Sequence, residues 1–157
     1  MPSKEIDTRV ESFANHPHVF IASPNNPLAT KLSIPPDALT QYEMISREPG
    51  SGTRTIMEKY FAEHGIAPIV SMEMSSNETI KQAVMVNLGI SFVSLHTIGS
   101  ELANKQITIL DIQHTPIIRT WHVVALSKRN ASQAAEAFRY FVLEKGGEIL
   151  TKMFADA

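Results

Sequence analysis

The residues best placed to do chemistry lie in one run, Ser46-Arg47-Glu48-Pro49-Gly50-Ser51-Gly52-Thr53-Arg54. A short apolar segment precedes it and a helical pattern follows it, so the run reads as a strand-to-helix turn carrying two glycines. Such a turn exposes backbone N–H groups at the positive end of a helix dipole. Together with the hydroxyls of Ser51 and Thr53 these donors favour a carboxylate or phosphate, and Arg47 and Arg54 could add charge-assisted hydrogen bonds. A helix cap with no ligand would use the same residues. The run lacks the Gly-Lys-Ser/Thr of a Walker A loop and the Gly-x-Gly-x-x-Gly of a dinucleotide fingerprint, so nucleotide hydrolysis is unsupported.

A second turn of the same kind is Ser75-Ser76-Asn77-Glu78, where Ser76 or Asn77 caps a helix and a hydroxyl or amide could face the same crevice. Gly89-Ile90-Ser91-Phe92-Val93-Ser94 offers a third edge, or simply a buried strand. The six histidines, His16, His18, His64, His96, His114 and His122, show no zinc-ligand spacing, and His16-Pro17-His18 reads as a surface turn. Ser51 sits in Pro-Gly-Ser-Gly-Thr rather than in a Gly-x-Ser-x-Gly elbow. No nucleophile and base stand out, so a binding protein without metal or cofactor is expected rather than an enzyme. Met57, Met72, Met74 and Met85 read as core filling, and Trp121 as a packing residue.

These turns need strands and helices to position them. Val19 to Ala22 reads as a strand closed by the turn Ser23 to Pro27, and Leu28 to Leu32 as a connector. Asp37 is a candidate N-cap for a short helical turn, followed by a strand over Tyr42 to Ser46. Thr53 to His64 carries Ile56, Met57, Tyr60 and Phe61 at helical spacing and stops at Gly65. A strand over Val70 to Met74 leads to a helix whose apolar positions Ile80, Ala83, Val84 and Leu88 lead to Gly89. Strands follow at Ile90 to Leu95, within the loop segment Leu102 to Leu110, and at Trp121 to Leu126. A last helix, Ala134 to Lys145, ends at Gly146-Gly147, with a weak helical tail over 148–157. The alternation predicts an α/β domain with largely parallel pairing.

The chain has 157 residues, 43% hydrophobic and 19% charged, enough for one compact globular core. A net charge of -2 without basic runs leaves no footprint for DNA or an anionic membrane, so any DNA contact must come from another segment. The absence of cysteine excludes disulfides and thiolate chemistry and agrees with a reducing cytoplasm. No apolar run approaches the ~20 residues that span a bilayer, and the first seven residues lack the apolar core of a signal peptide.

Three linked stretches resemble a known family. Val19-Phe20-Ile21-Ala22-Ser23-Pro24-Asn25-Asn26-Pro27-Leu28-Ala29, the run Arg47 to Arg54, and Ser76 to Val84 with Asn87-Leu88-Gly89-Ile90-Ser91 look like the effector domain of LysR-type transcriptional regulators, in order and spacing. The Arg-Glu-Pro-Gly-Ser-Gly-Thr-Arg run is similar to the branch that controls carbon-fixation (RuBisCO) operons. The resemblance covers roughly Asp7 to Gly147. It implies an α/β, periplasmic-binding-protein-like (type 2) fold with lobe two complete and lobe one partial. On that pattern 1–27 would hold part of lobe one and the first crossover strand, 28–120 lobe two, and 121–157 the second crossover strand and a helix returning to lobe one.

The resemblance further implies a small anionic metabolite bound between lobes, with Ser51, Gly52 and Thr53 in one wall, Ser76 and Asn77 in the other, and Arg47 and Arg54 nearby. Sugar phosphates, phosphoenolpyruvate or NADPH are effectors of the kind implied. The family's winged helix-turn-helix, linker helix and first lobe-one elements would precede Asp7 and are missing from this sequence, whether the gene or the piece is truncated. A cytoplasmic homo-oligomer would then reach promoter DNA only through that missing N-terminal part. The alternative is a periplasmic-type solute-binding protein for a small anion.

Overall fold

The structure, a computed structural model, describes residues 7–127 and 131–154. In chain order the elements are β1 (Thr8–Ala22), a 3-10 turn (Pro36–Gln41), β2 (Glu43–Arg47), α1 (Gly52–Glu63), β3 (Ile69–Met74), α2 (Asn77–Met85), β4 (Ile90–Ser94), a second 3-10 turn (Leu95–Thr97), α3 (Gly99–Ala103), β5 (Thr108–Ile109), β6 (Ile117–Leu126), α4 (Gln133–Phe141) and α5 (Gly147–Phe154), the last two joined by a π-helical turn (Val142–Gly146). Two compact units emerge: unit two is Pro17–Ile117, and unit one holds the described residues on either side of it. The expectations for the first six residues, for 128–130 and for the end of the tail, 155–157, lie outside the described residues.

Unit two is a sheet in the order β3-β2-β4-β1-β5, with helices on both faces. Residue alternation sorts the strands: Phe20, Met44, Ile90 and Phe92 point to one face and meet Met57, Tyr60 and Phe61 of α1. Val19, Ile21, Ile45 and Val93 point to the other and meet Ile80, Ala83 and Val84 of α2 and Ile98. Each fully buried Val, Ile, Phe or Met side chain among them contributes ~1.5–3 kcal/mol. β2 pairs in parallel with both β3 and β4, whereas β1 runs antiparallel to β4 and β5. The sheet is therefore mixed rather than largely parallel. The connections that carry the longer helices, β2-α1-β3 and β3-α2-β4, give the parallel pairs, and β1 arrives by another route.

Several local expectations are corrected. The first strand starts at Thr8, not Val19, and runs straight through His16-Pro17-His18, with His18 only 1% exposed and stacked on Phe92 at 5.6 Å. The apparent surface turn is thus mid-strand. Pro17, which has no N–H to give a ladder, sits where β1 passes from unit one to unit two. Asp37 lies inside the 3-10 turn and Pro35 takes the cap position. α1 ends as its glycine predicts: Gly65 adopts φ +66° and Ile66 N–H donates to Phe61 O at 2.9 Å. α2 ends instead on Asn87, which takes the left-handed position at φ +60°, and Leu88 is 49% exposed. Gly89 has a different task. A Cβ there would lie 2.5 Å from the Glu43 carbonyl oxygen, so only glycine lets the chain re-enter the sheet beside β2.

In unit one β6 pairs with β1, and Trp121 stacks on Phe13 at 6.1 Å. Helical structure runs on through Gly146-Gly147 instead of stopping there. A Cβ on Gly146 would meet the Phe13 ring at 3.0 Å and one on Gly147 the Phe13 carbonyl at 2.9 Å, so both glycines permit close packing on β1. Arg139 is the one buried charge of this unit among the described residues, held by Glu11 at 2.6 Å and Glu136 at 3.0 Å. Among the described residues no helix is long and apolar enough to cross a membrane.

The clash at Gly89 is with backbone, which cannot rotate away. Gly89→Ala should therefore lower unfolding free energy by ~1–3 kcal/mol, measured as a shift of the urea midpoint at unchanged slope, whereas an unshifted midpoint would refute the close-approach account.

Candidate functional site

β2 and β3 are parallel neighbours that end together, Arg47 opposite Met74. Each then turns into a helix, and the two helices lie on opposite faces of the sheet. This is a switch point of the kind where α/β sheets open a crevice beyond the carboxyl ends of their strands. The starts of α1 and α2 consequently lie side by side, which brings the two predicted turns, Arg47 to Arg54 and Ser75 to Glu78, to one edge.

The turn after β2 is shaped by Gly50 at φ +88°, a conformation that a side chain would strain. Ser51 is the N-cap of α1 and Ser76 that of α2, both in extended conformation. Among the described residues neither serine side chain caps its own helix. Elsewhere the same residue type does so: Ser132 accepts from Ala135 N–H at 3.2 Å at the start of α4. The first N–H groups of α1 and α2 therefore lack, among the described residues, the partner a serine ordinarily supplies. Gly52 is the first residue of α1, and a Cβ there would meet nothing within 4 Å. Neither its φ nor its surroundings demand glycine, so what it provides is bare backbone.

The arginines are more committed than their sequence positions suggest. Arg47 donates through Nη1 to Asn77 Oδ1 at 2.8 Å, which ties the end of β2 to the first residue of α2. Its Nε and Nη2 hold Glu48 in a two-point pairing at 2.7 and 2.9 Å. Those bonds keep the Glu48 carboxyl below the usual carboxylate range. Arg54 reaches three elements: Glu58 one helical turn along α1 at 2.7 Å, Glu73 of β3 at 2.5 Å, and the Arg47 carbonyl at 3.1 Å. Glu58 first and Glu73 second push its pKa further up. Arg54 thus anchors α1 to β2 and β3. Ser51, Thr53, Asn77, Arg47 and Arg54 are half-buried, and Gly52 and Ser76 exposed.

The third candidate edge, Gly89 to Ser94, is a buried strand: Ser91 is 0% exposed and donates to the Ile45 carbonyl at 2.6 Å. Among the described residues no group of three or more His, Asp or Glu side chains could hold a metal ion. The His64 and His114 rings meet at a tilt, 5.1 Å apart, at the far end of α1, beside Tyr60, whose buried hydroxyl is pushed up to about 12 and donates to Gln113 O at 2.9 Å. Sequence reasoning missed Glu58 and Glu73 as partners of Arg54. The first was readable as an i,i+4 pair, while the second depends on sheet register.

Residues 2–147 match the model of the LysR substrate binding domain. The chain belongs to that family. It is 44% identical over 98% of its length to the HTH-type transcriptional regulator CfxR of Cupriavidus necator, and 40% identical over 95% to the RuBisCO operon transcriptional regulator of Allochromatium vinosum. It spans about half the length of these curated relatives, 48% and 49% respectively. Among solved structures it is similar to the Synechocystis PCC6803 CcmR regulatory domain in complex with 2-PG, with a TM-score of 0.83 and 40% identity over 92% of this chain and 69% of that one. The effector binding domain of QuiR in complex with shikimate gives 0.78 and 26%, covering 93% and 68%. The fold is accordingly that of LysR effector domains, periplasmic-binding-protein-like of type 2, and the relatives lie in the carbon-fixation branch that the Arg47 to Arg54 run resembles.

Arg54 is a rigid fork with three acceptors on three elements, a geometry an ammonium cannot reproduce. Arg54→Lys should therefore lower Tm in this LysR domain even though the charge is kept, and an unchanged thermal midpoint would show that the anchor contributes nothing.

Proposed function

We propose that this chain is the ligand-sensing domain of a LysR-type transcriptional regulator, taking a small anionic metabolite at the paired starts of α1 and α2. The observation that carries this is Gly52, bare backbone at the first position of a helix whose cap serine does not cap it, next to a second helix start in the same state. Two dipole ends and their N–H donors converge there, the arrangement that receives carboxylates and phosphates. Ser51, Gly52 and Thr53 form one wall, Ser76 and Asn77 the other, and Arg47 borders both. Arg54 acts by fixing α1 rather than by touching the ligand. The CcmR regulatory domain, similar in fold at 40% identity, is named as a complex with 2-PG, which supports a small-molecule effector here.

Residues 28–120 would act as the effector-binding lobe, with 1–27 and 121–157 belonging to the other. Promoter DNA would be contacted by a winged helix-turn-helix outside this sequence, in a cytoplasmic homo-oligomer. The ligand can change DNA binding only by favouring one conformation of the regulator through differential affinity. Relatives that are transcriptional regulators support this reading over an exported solute receptor.

The intact protein is titrated with 2-PG and, as a contrasting probe, shikimate, read by calorimetry and by the promoter footprint. We expect 2-PG to bind and alter the footprint. Gly52→Ala should keep or raise Tm, since replacing a helical glycine stabilises by up to ~0.5–1 kcal/mol, yet its Cβ, which meets no protein atom within 4 Å, would stand in the ligand's place over the helix N–H groups and weaken binding about tenfold or more, the scale of one to two hydrogen bonds lengthened by that intrusion. Undiminished affinity in Gly52→Ala would overturn the site, and no response to any small anion would overturn the function.

A further inference from the structure

We propose that His64 and His114 form a two-imidazole clamp for a divalent transition-metal ion such as zinc, at the end of α1 opposite the crevice. The two residues are far apart in sequence, and the fold brings their rings to 5.1 Å between centroids. Two imidazoles that bind one zinc ion through nitrogens at the usual ~2.0–2.1 Å, at a tetrahedral angle, have centroids ~5 Å apart. These rings already stand at that separation. Packing alone can give the same distance, and what sets this pair apart is how each ring is held.

His64 Nδ1 lies 2.7 Å from the Tyr60 carbonyl oxygen. A carbonyl only accepts, so Nδ1 carries the proton and Nε2 keeps its lone pair. Metal-binding histidines are oriented in this way, by giving the other ring N–H to a carbonyl. His114 sits on an exposed turn at φ +64°, a region uncommon for residues other than glycine. The turn is tied down on both sides: the Tyr60 hydroxyl donates to Gln113 O at 2.9 Å, and Gln113 N–H donates to Ile34 O at 2.9 Å. Tyr60 thus positions both imidazoles, one through its carbonyl and the other through its hydroxyl. His64 is also the C-cap of the 12-residue α1, at the negative end of the helix dipole, where a cation is favoured. The acids nearest in sequence are engaged, Glu63 with Lys59 at 3.6 Å and Asp111 with Ser33 N–H at 2.7 Å. The described residues supply no third ligand, so water would fill the other positions. Two nitrogens select zinc, copper or nickel over magnesium and calcium, which take oxygen.

The test titrates the intact protein with Zn²⁺, and with Mg²⁺ as the contrasting ion, by calorimetry and by thermal melting. It uses wild type, His64→Gln, His114→Asn, the double variant and His122→Gln, the last replacing an exposed histidine of β6 outside the clamp. We expect Zn²⁺ to bind wild type and raise its Tm, and Mg²⁺ to do neither. Either clamp variant should bind Zn²⁺ at least about tenfold more weakly, since losing even an outer-shell partner of a metal ligand costs that much. The double variant should lose far less than the two single losses combined, because a chelate is already broken by removing one ring. His122→Gln should bind as wild type does. Asparagine tolerates positive φ, so His114→Asn keeps the fold and decides the matter if His64→Gln does not fold. No Zn²⁺ binding by wild type, undiminished affinity in His114→Asn, single losses that simply add in the double variant, or an equal loss in His122→Gln would each overturn the clamp.

Discussion

Everything at the candidate site depends on β2 lying between two parallel partners. Glu43–Arg47 pairs with β3 on one side and β4 on the other, and the chain leaves β2 for β3, then returns past β2 to reach β4. Because parallel connections are right-handed, reversing direction across the sheet puts α1 and α2 on opposite faces. Their first residues then flank one crevice by topology alone. The return is tight, and Gly89 is where it is tightest. A methyl group there would press on the carbonyl of Glu43, at the start of the strand whose other end carries Arg47.

Positive charge at the crevice is organised by hierarchy rather than by number. Arg54 gives its donors to Glu58, Glu73 and a backbone carbonyl, so it holds α1 in place and brings its dipole to bear. Arg47 is shared between a fixed amide and an exposed carboxylate. Among the described residues the starts of α1 and α2 have no serine side-chain cap. A helix terminus attracts an anion without the large desolvation cost of a buried full charge. On the opposite face, by contrast, Lys81 and Glu101 are buried together at 2.7 Å, closed by Glu78, and serve to pin α2 to α3.

The local elements of the candidate site are legible in the sequence. The two glycines before α1, the apolar spacing of Met57, Tyr60 and Phe61, and the serine before α2 are each decided within a few residues. What failed was decided by tertiary contact. The strand β1 carries Glu11, Asn15, His16 and Pro17 and has no alternation to read, yet pairing extends it from Thr8 to Ala22. Gly146-Gly147 looks like a helix stop, but the reason for glycine there is Phe13, more than a hundred residues away in sequence. Gly89 likewise reads as a terminator in the sequence, while Asn87, a residue tolerant of positive φ, does the terminating. The register that puts Glu73 against Arg54, and the antiparallel entry of β1, have no sequence signature.

The two units differ in what holds them. Every fully buried hydrophobic side chain among the described residues lies between Val19 and Ile112, inside unit two. Unit one has a buried arginine between two carboxylates, one aromatic stack on Trp121, and outward apolar residues such as Ile118, Val124 and Phe138, more than half exposed. Opening free energy follows burial, so unit one is the less protected part of this chain and unit two the more. The paired helix starts, both arginines and Glu48 belong entirely to unit two. For the anion site proposed above, groups held on a packed sheet would keep their geometry before a ligand arrives, so binding would not include the entropy of building the site.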